Sequence, residues 1–433
     1  MNHEKSGLAS RRLALYLLEA VLIDKLSFDE AFDATAPHGM EGRDRAFAHA
    51  MAAAVLRRKG EAEAVLRQFV PKPLPKSSGP THFILLLGVA QLLFLKAPAH
   101  AVIDLSVALA RDDLKARHFG KLINAVLRKV AAEGEGGLAG LDGAKLNTPS
   151  WLMKSWVKAY GEDTAQRIAA SHLGEADVDI SVKADSALWA ETLGGEELPT
   201  GSIRLANAGP ISELPGYAEG QWWVQDVAAA LPVLLLGDVY GKRILDLGAA
   251  PGGKTAQLAA RGAIVTAIDS SAPRLERLKE NLARLGLRAD VRQADNLVMA
   301  QGEGYDGVLL DAPCSATGTI RRHPDLPYRK SAGQVSELAT LQMRMLDRAA
   351  PLVKPQGILV YCTCSLQPEE GEAQAEAFLA RQPEYSRDAI LPGEIGNQSQ
   401  FISAKGDLRT LPCMPIGENR GLDGFFAARL RRQ

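Results

Sequence analysis

The sequence has few cysteines and no long apolar run. All of its cysteines lie in the last third of the 433 residues, at Cys314, Cys362, Cys364 and Cys413. A chain of this length can bury a sufficient core without disulfides, so the scarcity of cysteine favours a reducing, cytoplasmic location. The longest apolar run, residues 83–95, is shorter than the roughly 20 residues that a membrane-spanning helix needs. We therefore expect a cytoplasmic protein without a membrane segment.

The chain also lacks a large net charge of either sign, although its charges are unevenly distributed. The chain carries 50 Lys and Arg against 51 Asp and Glu, a net charge of −1. Residues 1–130 hold 19 basic and 13 acidic residues, a surplus of +6, and the remainder holds 31 and 38, a deficit of −7. This segregation is compatible with a nucleic-acid-binding module beside a more acidic one, and also with chance variation among solvated surfaces. The ordinary globular composition excludes a disordered, collagen-like or coiled-coil chain.

The first part of the chain, residues 1–140, is predicted to form an all-α bundle. Apolar residues recur at helical spacing over 13–21 and again over 122–126, with basic residues on the polar faces. The run over 83–95 predicts a buried helix of the same bundle. Residues 134–143 are rich in glycine and alanine and predict a linker that ends this part.

The rest of the chain is predicted to contain two regions with strands. Residues 148–235 predict a small α+β connecting module, with strands over 178–182 and 202–205. From 236 to 433, short apolar strands alternate with helices, which is typical of a Rossmann-like parallel sheet covered on both faces. These strands are predicted at 243–247, 264–268, 290–292, 307–310 and 358–362. Ligands of such domains bind beyond the carboxyl ends of the strands, where the strand order reverses.

The first strand of this domain leads into a glycine-rich turn, Gly248 to Thr255, which matches the pattern G-x-x-x-x-G-K-[ST] of a phosphate-binding P-loop. A P-loop ATPase is therefore one hypothesis. Two neighbours argue against bound phosphate. Asp246 would place a negative charge close to it, and Pro251 removes a backbone N–H from a loop that would have to offer N–H groups.

The competing hypothesis for this turn is a site for S-adenosylmethionine, a cationic nucleoside without phosphate. Glycine-rich backbone lets a ligand approach closely. Asp269 closes the second strand, where it can accept the ribose hydroxyls, and Asp295 follows the third strand, within reach of the adenine amino group. Each acid could instead cap a following helix. Three acids at successive strand ends, together with the turn, favour the cofactor.

Two cysteines are predicted at the same rim of the sheet. Asp311-Ala-Pro-Cys314 follows the fourth strand and Thr363-Cys364 follows the fifth. Buried packing is one explanation, and zinc is disfavoured because the spacing is unusual and no histidine is near. A thiolate beside a methyl donor can add to carbon 6 of cytosine and make carbon 5 nucleophilic, while Asp311 neutralises N3. The base would have to be turned out of any stack to be reached.

These segments resemble a known family. Residues 246–255, 311–318, 321–325 and 363–366 are similar to the motifs of the Nop2/Sun family of RNA 5-methylcytosine methyltransferases. The helical region, which ends in 120–128, resembles the NusB-like RNA-binding domain, and this fusion is typical of the bacterial 16S rRNA methyltransferases of the family. The resemblance implies S-adenosylmethionine as cofactor and small-subunit rRNA as partner. We also expect no metal, no membrane partner and a monomer.

The resemblance also assigns roles to residues. It makes Cys364 the nucleophile and Cys314 the residue that assists product release. It also places Lys254 and Asp311 in contact with the end of the cofactor and with the target base. Cys362 is a less favoured rival nucleophile. The cofactor contacts would be Gly248, Ala249, Ala250, Pro251, Gly252, Gly253, Lys254, Asp269, Asp295 and Asp311. Arg321 and Arg322 are expected near RNA phosphates. A non-catalytic RNA-binding or assembly factor remains a further hypothesis.

Overall fold

The computed structural model describes residues 3–35, 39–206, 208–295, 304–418 and 421–433. Its contacts divide the chain into two compact units. Unit 1 comprises Met1–Gly174 with Arg322–Lys330, and unit 2 comprises Glu175–Arg321 with Ser331–Gln433. We predicted three parts, 1–140, 148–235 and 236–433. The grouping instead places 148–174 in unit 1 and 175–235 in unit 2, and the three-part division stays a prediction.

Unit 1 is helical, as the periodicity of its apolar residues predicts. Its helices are α1 (His3–Leu22), α2 (Phe28–Thr35), α3 (Gly42–Phe69), α4 (Thr81–Val89), α5 (Ala99–Arg111), α6 (Gly120–Glu133), α7 (Gly143–Asn147), α8 (Ser150–Tyr160) and α9 (Glu162–Ser171). The apolar run over 83–95 forms α4 and a π-helical turn, Ala90–Phe94, and supplies much of the buried core. Among the described residues, no helix is long and apolar enough to span a membrane.

The stretch predicted as a linker is an ordered part of unit 1. Gly134–Leu138 forms a 3-10 helix, and Leu138 packs against the helical core. Gly137 is buried, and a Cβ on it would be in ordinary contact with Val65 of α3 at 3.8 Å. The segment is therefore part of the packed helical unit and not the predicted linker.

Unit 2 begins with a small antiparallel sheet. It contains β1 (Val178–Val182), α10 (Ser186–Leu193), β2 (Glu196–Glu197), β3 (Ile203–Leu205) and β4 (Trp222–Val224), with the strands in the order β2-β3-β1-β4. The strands predicted over 178–182 and 202–205 are confirmed as β1 and β3. A buried ion pair joins them, because Arg204 Nε donates to Asp179 Oδ1 over 2.7 Å and Nη2 donates to Oδ2 over 2.9 Å. Both side chains are buried, so the two hydrogen bonds have to replace the contacts with water that each charge has lost.

The larger sheet of unit 2 is the predicted Rossmann-like sheet with antiparallel additions. From Val227 onward the chain forms α11 (Val227–Leu234), β5 (Arg243–Leu247), α12 (Gly253–Ala260), β6 (Ile264–Asp269), α13 (Ala272–Leu285), β7 (Asp290–Gln293), β8 (Tyr305–Asp311), α14 (Leu326–Arg329), α15 (Ala332–Ala349), β9 (Val353–Thr363), α16 (Glu372–Arg381), β10 (Tyr385–Arg387), β11 (Leu408–Thr410) and β12 (Phe425–Arg432). Of these elements, α14 belongs to unit 1. The strand order is β10-β12-β9-β8-β5-β6-β7, and β11 pairs with β12. Strands β5 to β9 are parallel, whereas β12 runs antiparallel to β9.

The order of these strands creates a switch point beside β5. The chain passes from β5 to β6 on one side and later returns to β8 on the other side. Successive residues of β5 pack into different apolar clusters on the two faces of the sheet, Ile244 into one and Leu245 into the other. Both faces of the strand are therefore covered. We call the rim where β5, β8 and β9 end the carboxyl edge; its loops begin at Gly248, Ala312 and Cys364. The opposite rim, where β8 and β9 begin, is the amino edge.

A segment that follows the Pro-Cys motif in sequence belongs to unit 1. Within Arg322–Lys330, the Tyr328 hydroxyl donates to the carbonyl of Leu56 over 2.8 Å, and burial raises the pKa of this phenol. Asp325 Oδ2 accepts hydrogen bonds from Phe28 N over 3.3 Å and from Arg329 Nη1 over 2.9 Å. Asp325, the last residue of the sequence motif Arg-Arg-His-Pro-Asp, thus packs within the helical unit, whereas Arg321, the first, belongs to unit 2.

Candidate active site at the carboxyl edge

The glycine-rich turn is anchored to both strands that flank β5. Gly248 N and Ala249 N donate to the carbonyl of Ile268 at the end of β6, over 3.0 and 3.1 Å. Gly248 has φ +73°, and a Cβ on it would lie 2.2 Å from the carbonyl oxygen of Asp311 at the end of β8. Gly252 has φ +108° and directly precedes α12. Only glycine fits these two positions without strain, so the turn is held close to the strand ends.

Asp246 is fully buried beneath the turn. Thr255 Oγ1 donates to its Oδ2 over 2.6 Å, and among the described residues no group donates to its Oδ1. Burial raises the pKa of Asp246 to about 7. A P-loop would use the threonine hydroxyl for a metal ion and the lysine for phosphate. Here Thr255 is buried against Asp246 and Lys254 binds a carboxylate, so the P-loop hypothesis has no structural support.

Asp269 and Asp295 occupy different environments. Asp269 is buried, and its two oxygens accept hydrogen bonds from Ala250 N over 3.1 Å and from Ser271 N over 2.9 Å. It therefore fixes the turn and Ser271, the residue that precedes α13. The predicted contact with the ribose hydroxyls stays a prediction. Asp295 is exposed, and residues 296–303, which follow it, lie outside the described residues.

Lys254 and Asp311 form an ion pair at the centre of the carboxyl edge. Lys254 Nζ donates to Asp311 Oδ2 over 2.8 Å, and Nζ also lies 4.9 Å from the centre of the Phe425 ring. The two side chains are 11% and 27% exposed. Burial opposes the ammonium charge, but the charge of Asp311 and its hydrogen bond outweigh burial, so the pKa of Lys254 lies above its ordinary value. Lys254 is therefore a cation at neutral pH.

The two predicted cysteines meet. Cys314 Sγ and Cys364 Sγ lie 3.5 Å apart, and both side chains are half-buried. The hydrogen bond to Cys364 and burial raise the pKa of Cys314 well above its ordinary value. Cys314 therefore remains a thiol at neutral pH and can donate its proton to the sulfur of Cys364.

Cys362 is the cysteine that packs. It is fully buried within β9, where its side chain joins an apolar cluster, and burial raises its pKa well above the ordinary value. Its Sγ lies 3.8 Å from Asp311 Oδ1. A buried neutral thiol is a poor nucleophile, which agrees with its lower rank in the sequence analysis.

Sequence reasoning missed the carboxylate that joins the two cysteine loops. Glu370, in a short 3-10 helix after β9, is fully buried and accepts hydrogen bonds from Ser315 and from Ser365. These serines directly follow Cys314 and Cys364. The repeated Cys-Ser pair was the only local signal, because nothing in the sequence around Glu370 marks it as buried.

Arg321 and Arg322 differ from the sequence expectation and from each other. Arg321 is buried, and its Nη2 lies 3.6 Å from Asp226 Oδ2 and 3.9 Å from Asp423 Oδ1. A buried guanidinium that faces two carboxylates is poorly suited to bind phosphate, so the geometry does not favour the predicted RNA contact at Arg321. Arg322 is exposed and lies in unit 1. Its contact with RNA stays a prediction.

Comparison with known proteins identifies the family. Residues 233–431 match the model of the 16S rRNA methyltransferase RsmB/F, and residues 8–132 match the NusB family. The chain is 37% identical over 409 residues to ribosomal RNA small subunit methyltransferase B of Vibrio cholerae, with 90% of each chain covered. It is 34% identical over 444 residues to the protein of the same name from Cronobacter sakazakii, with 98% and 99% covered. The chain belongs to the RsmB/F family.

Solved structures support the fold of this RsmB/F member. The crystal structure of PH0851 has a TM-score of 0.77 at 24% identity and covers 100% of both chains. NSun6 from Pyrococcus horikoshii, solved with SFG, has a TM-score of 0.56 at 20% identity and covers 66% of this chain and 98% of its own. Family and fold confirm the predicted NusB-like helical region and the Rossmann-like methyltransferase domain.

S-adenosylmethionine is the cofactor of this RsmB/F chain, as the glycine turn predicts. The residues present fit it. The turn is bordered by two buried carboxylates, Asp246 and Asp269, and Asp246 Oδ1 receives no hydrogen bond from the described residues. A carboxyl oxygen without a partner at this position can accept a hydrogen bond from a hydroxyl or amino group of the ligand. The individual contacts predicted from Gly248 to Lys254, and at Asp269, Asp295 and Asp311, stay predictions.

Proposed function

We propose that this chain methylates carbon 5 of a cytosine in small-subunit rRNA, with Cys364 as a covalent nucleophile. The observation that carries the proposal is the 3.5 Å contact between Cys314 and Cys364 on the same edge as the Lys254–Asp311 ion pair. A methyltransferase that acts on oxygen or nitrogen needs no thiol pair, because those atoms already carry a lone pair. Carbon 5 of cytosine does not, and a covalent step supplies the missing nucleophilicity.

The proposed reaction begins when the Cys364 thiolate adds to carbon 6 of the target cytosine. The electron pair of the ring double bond moves toward N3, where the Lys254–Asp311 pair donates a hydrogen bond or a proton. S-adenosylmethionine, when bound, supplies the methyl group that carbon 5 accepts. A base then removes the proton from carbon 5, the double bond re-forms, and the thiolate of Cys364 leaves carbon 6. Any proton given to N3 returns to the Lys254–Asp311 pair as the ring double bonds re-form. Cys364 is regenerated as a thiolate, and a methyl group has replaced the hydrogen of carbon 5.

Cys314 suits the release step better than the attack. As a thiol beside Cys364, it donates a hydrogen bond that stabilises the Cys364 thiolate before attack and again when it leaves. Cys314 also follows an exposed proline in its loop, whereas Cys364 directly follows the last residue of β9, a central strand. The resemblance to the Nop2/Sun family assigns the same two roles.

Unit 1 is the proposed docking surface for the RNA. Residues 1–130 carry the surplus of +6, and this region matches the NusB family over 8–132. Lys115, Arg117 and Lys121 are exposed where α5 connects to α6. Exchange of these three residues for glutamine should weaken RNA binding and reduce its salt dependence, because each phosphate contact releases counterions.

The deciding experiment compares wild type, Cys314→Ser and Cys364→Ser with undermethylated small-subunit RNA and labelled methyl donor. Cys314→Ser should accumulate a covalent protein–RNA adduct, because release is impaired. Cys364→Ser should form no adduct and transfer no methyl group. Cys413→Ser, a cysteine outside the pair, is the matched control and should behave as wild type.

Each contrary outcome has a defined meaning. An adduct on Cys364→Ser would reverse the assignment of the two cysteines. Full methyl transfer by Cys364→Ser would exclude the covalent mechanism. Methylation that maps to an atom other than carbon 5, by mass spectrometry of the nucleosides, would exclude the proposed product. RNA binding without any methyl transfer by wild type would favour the non-catalytic assembly factor.

A further inference from the structure

One buried carboxylate joins the two loops that carry Cys314 and Cys364. Glu370 Oε1 accepts hydrogen bonds from Ser315 N over 2.8 Å and from Gln342 Nε2 over 3.1 Å. Its Oε2 accepts hydrogen bonds from the hydroxyls of Ser315 and Ser365, the latter over 2.6 Å. The two hydroxyl oxygens lie 3.0 Å apart. The residue that follows each cysteine is therefore bound to the same side chain.

The backbone of Glu370 is fixed to the strand that ends at Cys364. Its carbonyl accepts hydrogen bonds from the Tyr361 hydroxyl over 2.6 Å and from Thr363 Oγ1 over 3.3 Å. Both donors belong to β9. Glu370 thus has little freedom to move relative to the Thr-Cys loop, and its carboxylate extends that restraint to the Pro-Cys loop.

A carboxylate suits this position because its surroundings offer donors. A fully buried carboxylate is stable only when several donors satisfy it, and here a backbone N–H, an amide and two hydroxyls do so. Glutamine could retain part of the arrangement, because hydroxyls can donate or accept. Alanine would leave the two loops without a common partner.

We propose that Glu370 is a positioning residue that keeps the sulfurs of Cys314 and Cys364 in contact during the reaction. This inference rests on the proposed function, in which one thiol must act on the adduct of the other. The contact is made between loops 50 residues apart in sequence, and a misplacement by about 1 Å can lower a rate by about 100-fold. Among the described residues, the hydrogen bonds of the Glu370 carboxylate go to Ser315, Ser365 and Gln342 and not to either sulfur, so it acts through Ser315 and Ser365.

The first arm of the test measures the sulfur contact without RNA or methyl donor. The full-length protein is treated with diamide, which accepts two electrons and two protons from a thiol pair and so converts the pair to a disulfide. Peptide mapping by mass spectrometry then gives the rate at which the Cys314–Cys364 disulfide forms. We expect Glu370→Ala to slow this rate by at least about tenfold, because the loops lose their common restraint.

The second arm measures catalysis with the same variants. Glu370→Ala should lower kcat by about 100-fold and leave KM for S-adenosylmethionine unchanged. Glu370→Gln should restore much of both the crosslinking rate and kcat. Glu369→Ala is the matched control, because Glu369 is adjacent and its side chain is exposed; it should match wild type in both arms.

The outcomes separate the inference from the proposed function. A folded Glu370→Ala that forms the disulfide at the wild-type rate overturns the inference. If Glu370→Ala does not fold, the double variant Ser315→Ala/Ser365→Ala, which removes both hydroxyl donors, replaces it, and an unchanged rate overturns the inference equally. If wild type fails to methylate cytosine but Glu370→Ala still slows crosslinking, the proposed function fails while the positioning role of Glu370 stands.

Discussion

The two edges of the large sheet carry similar ion pairs in different surroundings. At the carboxyl edge, Lys254 and Asp311 are joined over 2.8 Å with side chains 11% and 27% exposed. At the amino edge, Lys354 and Asp306 are joined over 2.7 Å with side chains 42% and 32% exposed. The amino edge also holds a cavity of about 410 Å³, lined by these residues and by Lys242. Distance and chemistry are nearly the same and the two aspartates are similarly exposed, so the burial of the lysine is the variable that differs most.

Burial changes what an ion pair can do. A half-exposed pair is screened by water and salt and contributes little. In the less polar interior, the same charges shift pKa values strongly and hold side chains in one geometry. This contrast is one reason why we assign the proposed chemistry to the carboxyl edge, although the amino edge has both a lysine–aspartate pair and a cavity.

The largest expected effect of this contrast is on catalysis. Lys254→Met should lower kcat by about 100-fold to 10,000-fold, the usual range for loss of a group that handles a proton. Lys354→Met, the matched change at the amino edge, should leave kcat unchanged. Methyl transfer to small-subunit RNA under single-turnover conditions measures both. Equal losses in the two variants would contradict the assignment of the site to one edge.

The second-largest expected effect is a pH dependence of the free energy of unfolding, which should have opposite signs at the two edges. Burial raises the pKa of Asp246 from 3.8 to about 7, so the folded protein keeps a proton that the unfolded chain releases. Stability should therefore fall as the pH rises between these values, by roughly 4 kcal/mol at 1.4 kcal/mol per pKa unit. Asp246→Asn should remove this fall. Urea unfolding of the protein without cofactor, across acidic to neutral pH, measures it.

The amino edge supplies the matched control for the pH dependence. The hydrogen bond from Lys354 lowers the pKa of Asp306. Its contribution to stability should be present at neutral pH and disappear as the pH falls, and Asp306→Asn should remove that acid-side loss. A wild-type stability that does not decline between acidic and neutral pH, or an unchanged decline in Asp246→Asn, would contradict the buried, protonated state of Asp246.

A smaller effect concerns the close packing of the loops. A Cβ on Gly318 would lie 1.9 Å from the carbonyl oxygen of Gly424, between two backbone hydrogen bonds, Gly318 N to Cys364 O and Gly424 N to Gly318 O. Gly318→Ala should lower the free energy of unfolding by about 3 kcal/mol, the upper end of the range for overpacked sites.

The control for Gly318 lies at the amino edge. A Cβ on Gly304 would lie 2.8 Å from Cγ of Lys354, and the nearest backbone atom is 3.5 Å away. The Lys354 side chain can shift more easily than the backbone at Gly424, so Gly304→Ala should cost clearly less than Gly318→Ala in the same chemical denaturation experiment. A neutral Gly318→Ala would show that the two loops at the carboxyl edge can separate without loss of stability.

The smallest effect is expected for the exposed ion pair itself. Lys354→Met should change the free energy of unfolding by about 0.2–1 kcal/mol, and added salt should reduce the difference further. Thermal melts at low and high ionic strength measure it. A larger, salt-independent loss would mean that this pair is as well shielded as Lys254 and Asp311, and the comparison of the edges would fail.

Most elements of the large sheet of unit 2 could be predicted from the local pattern of residues. The strand predicted over 243–247 is β5, and the strands predicted over 264–268 and 290–292 are β6 and β7. Short apolar runs between helices are a local property, since both faces of a parallel strand are buried. The same local pattern placed Cys314 and Cys364 after strands that end at one edge. Strand β12 was not predicted, because its residues pair antiparallel to β9 from the far end of the chain.

Which of these residues contact one another depends on how the chain folds. The 3.5 Å contact of the two sulfurs, the hydrogen bonds to Glu370 and the burial of Arg321 between Asp226 and Asp423 depend on the strand order. Each joins residues separated by tens of positions in sequence. Periodicity and motif spacing report which side of an element a residue occupies, but neighbours across a sheet follow from how the whole chain packs. Burial, which distinguishes the two edges of this sheet, is therefore a property of the fold.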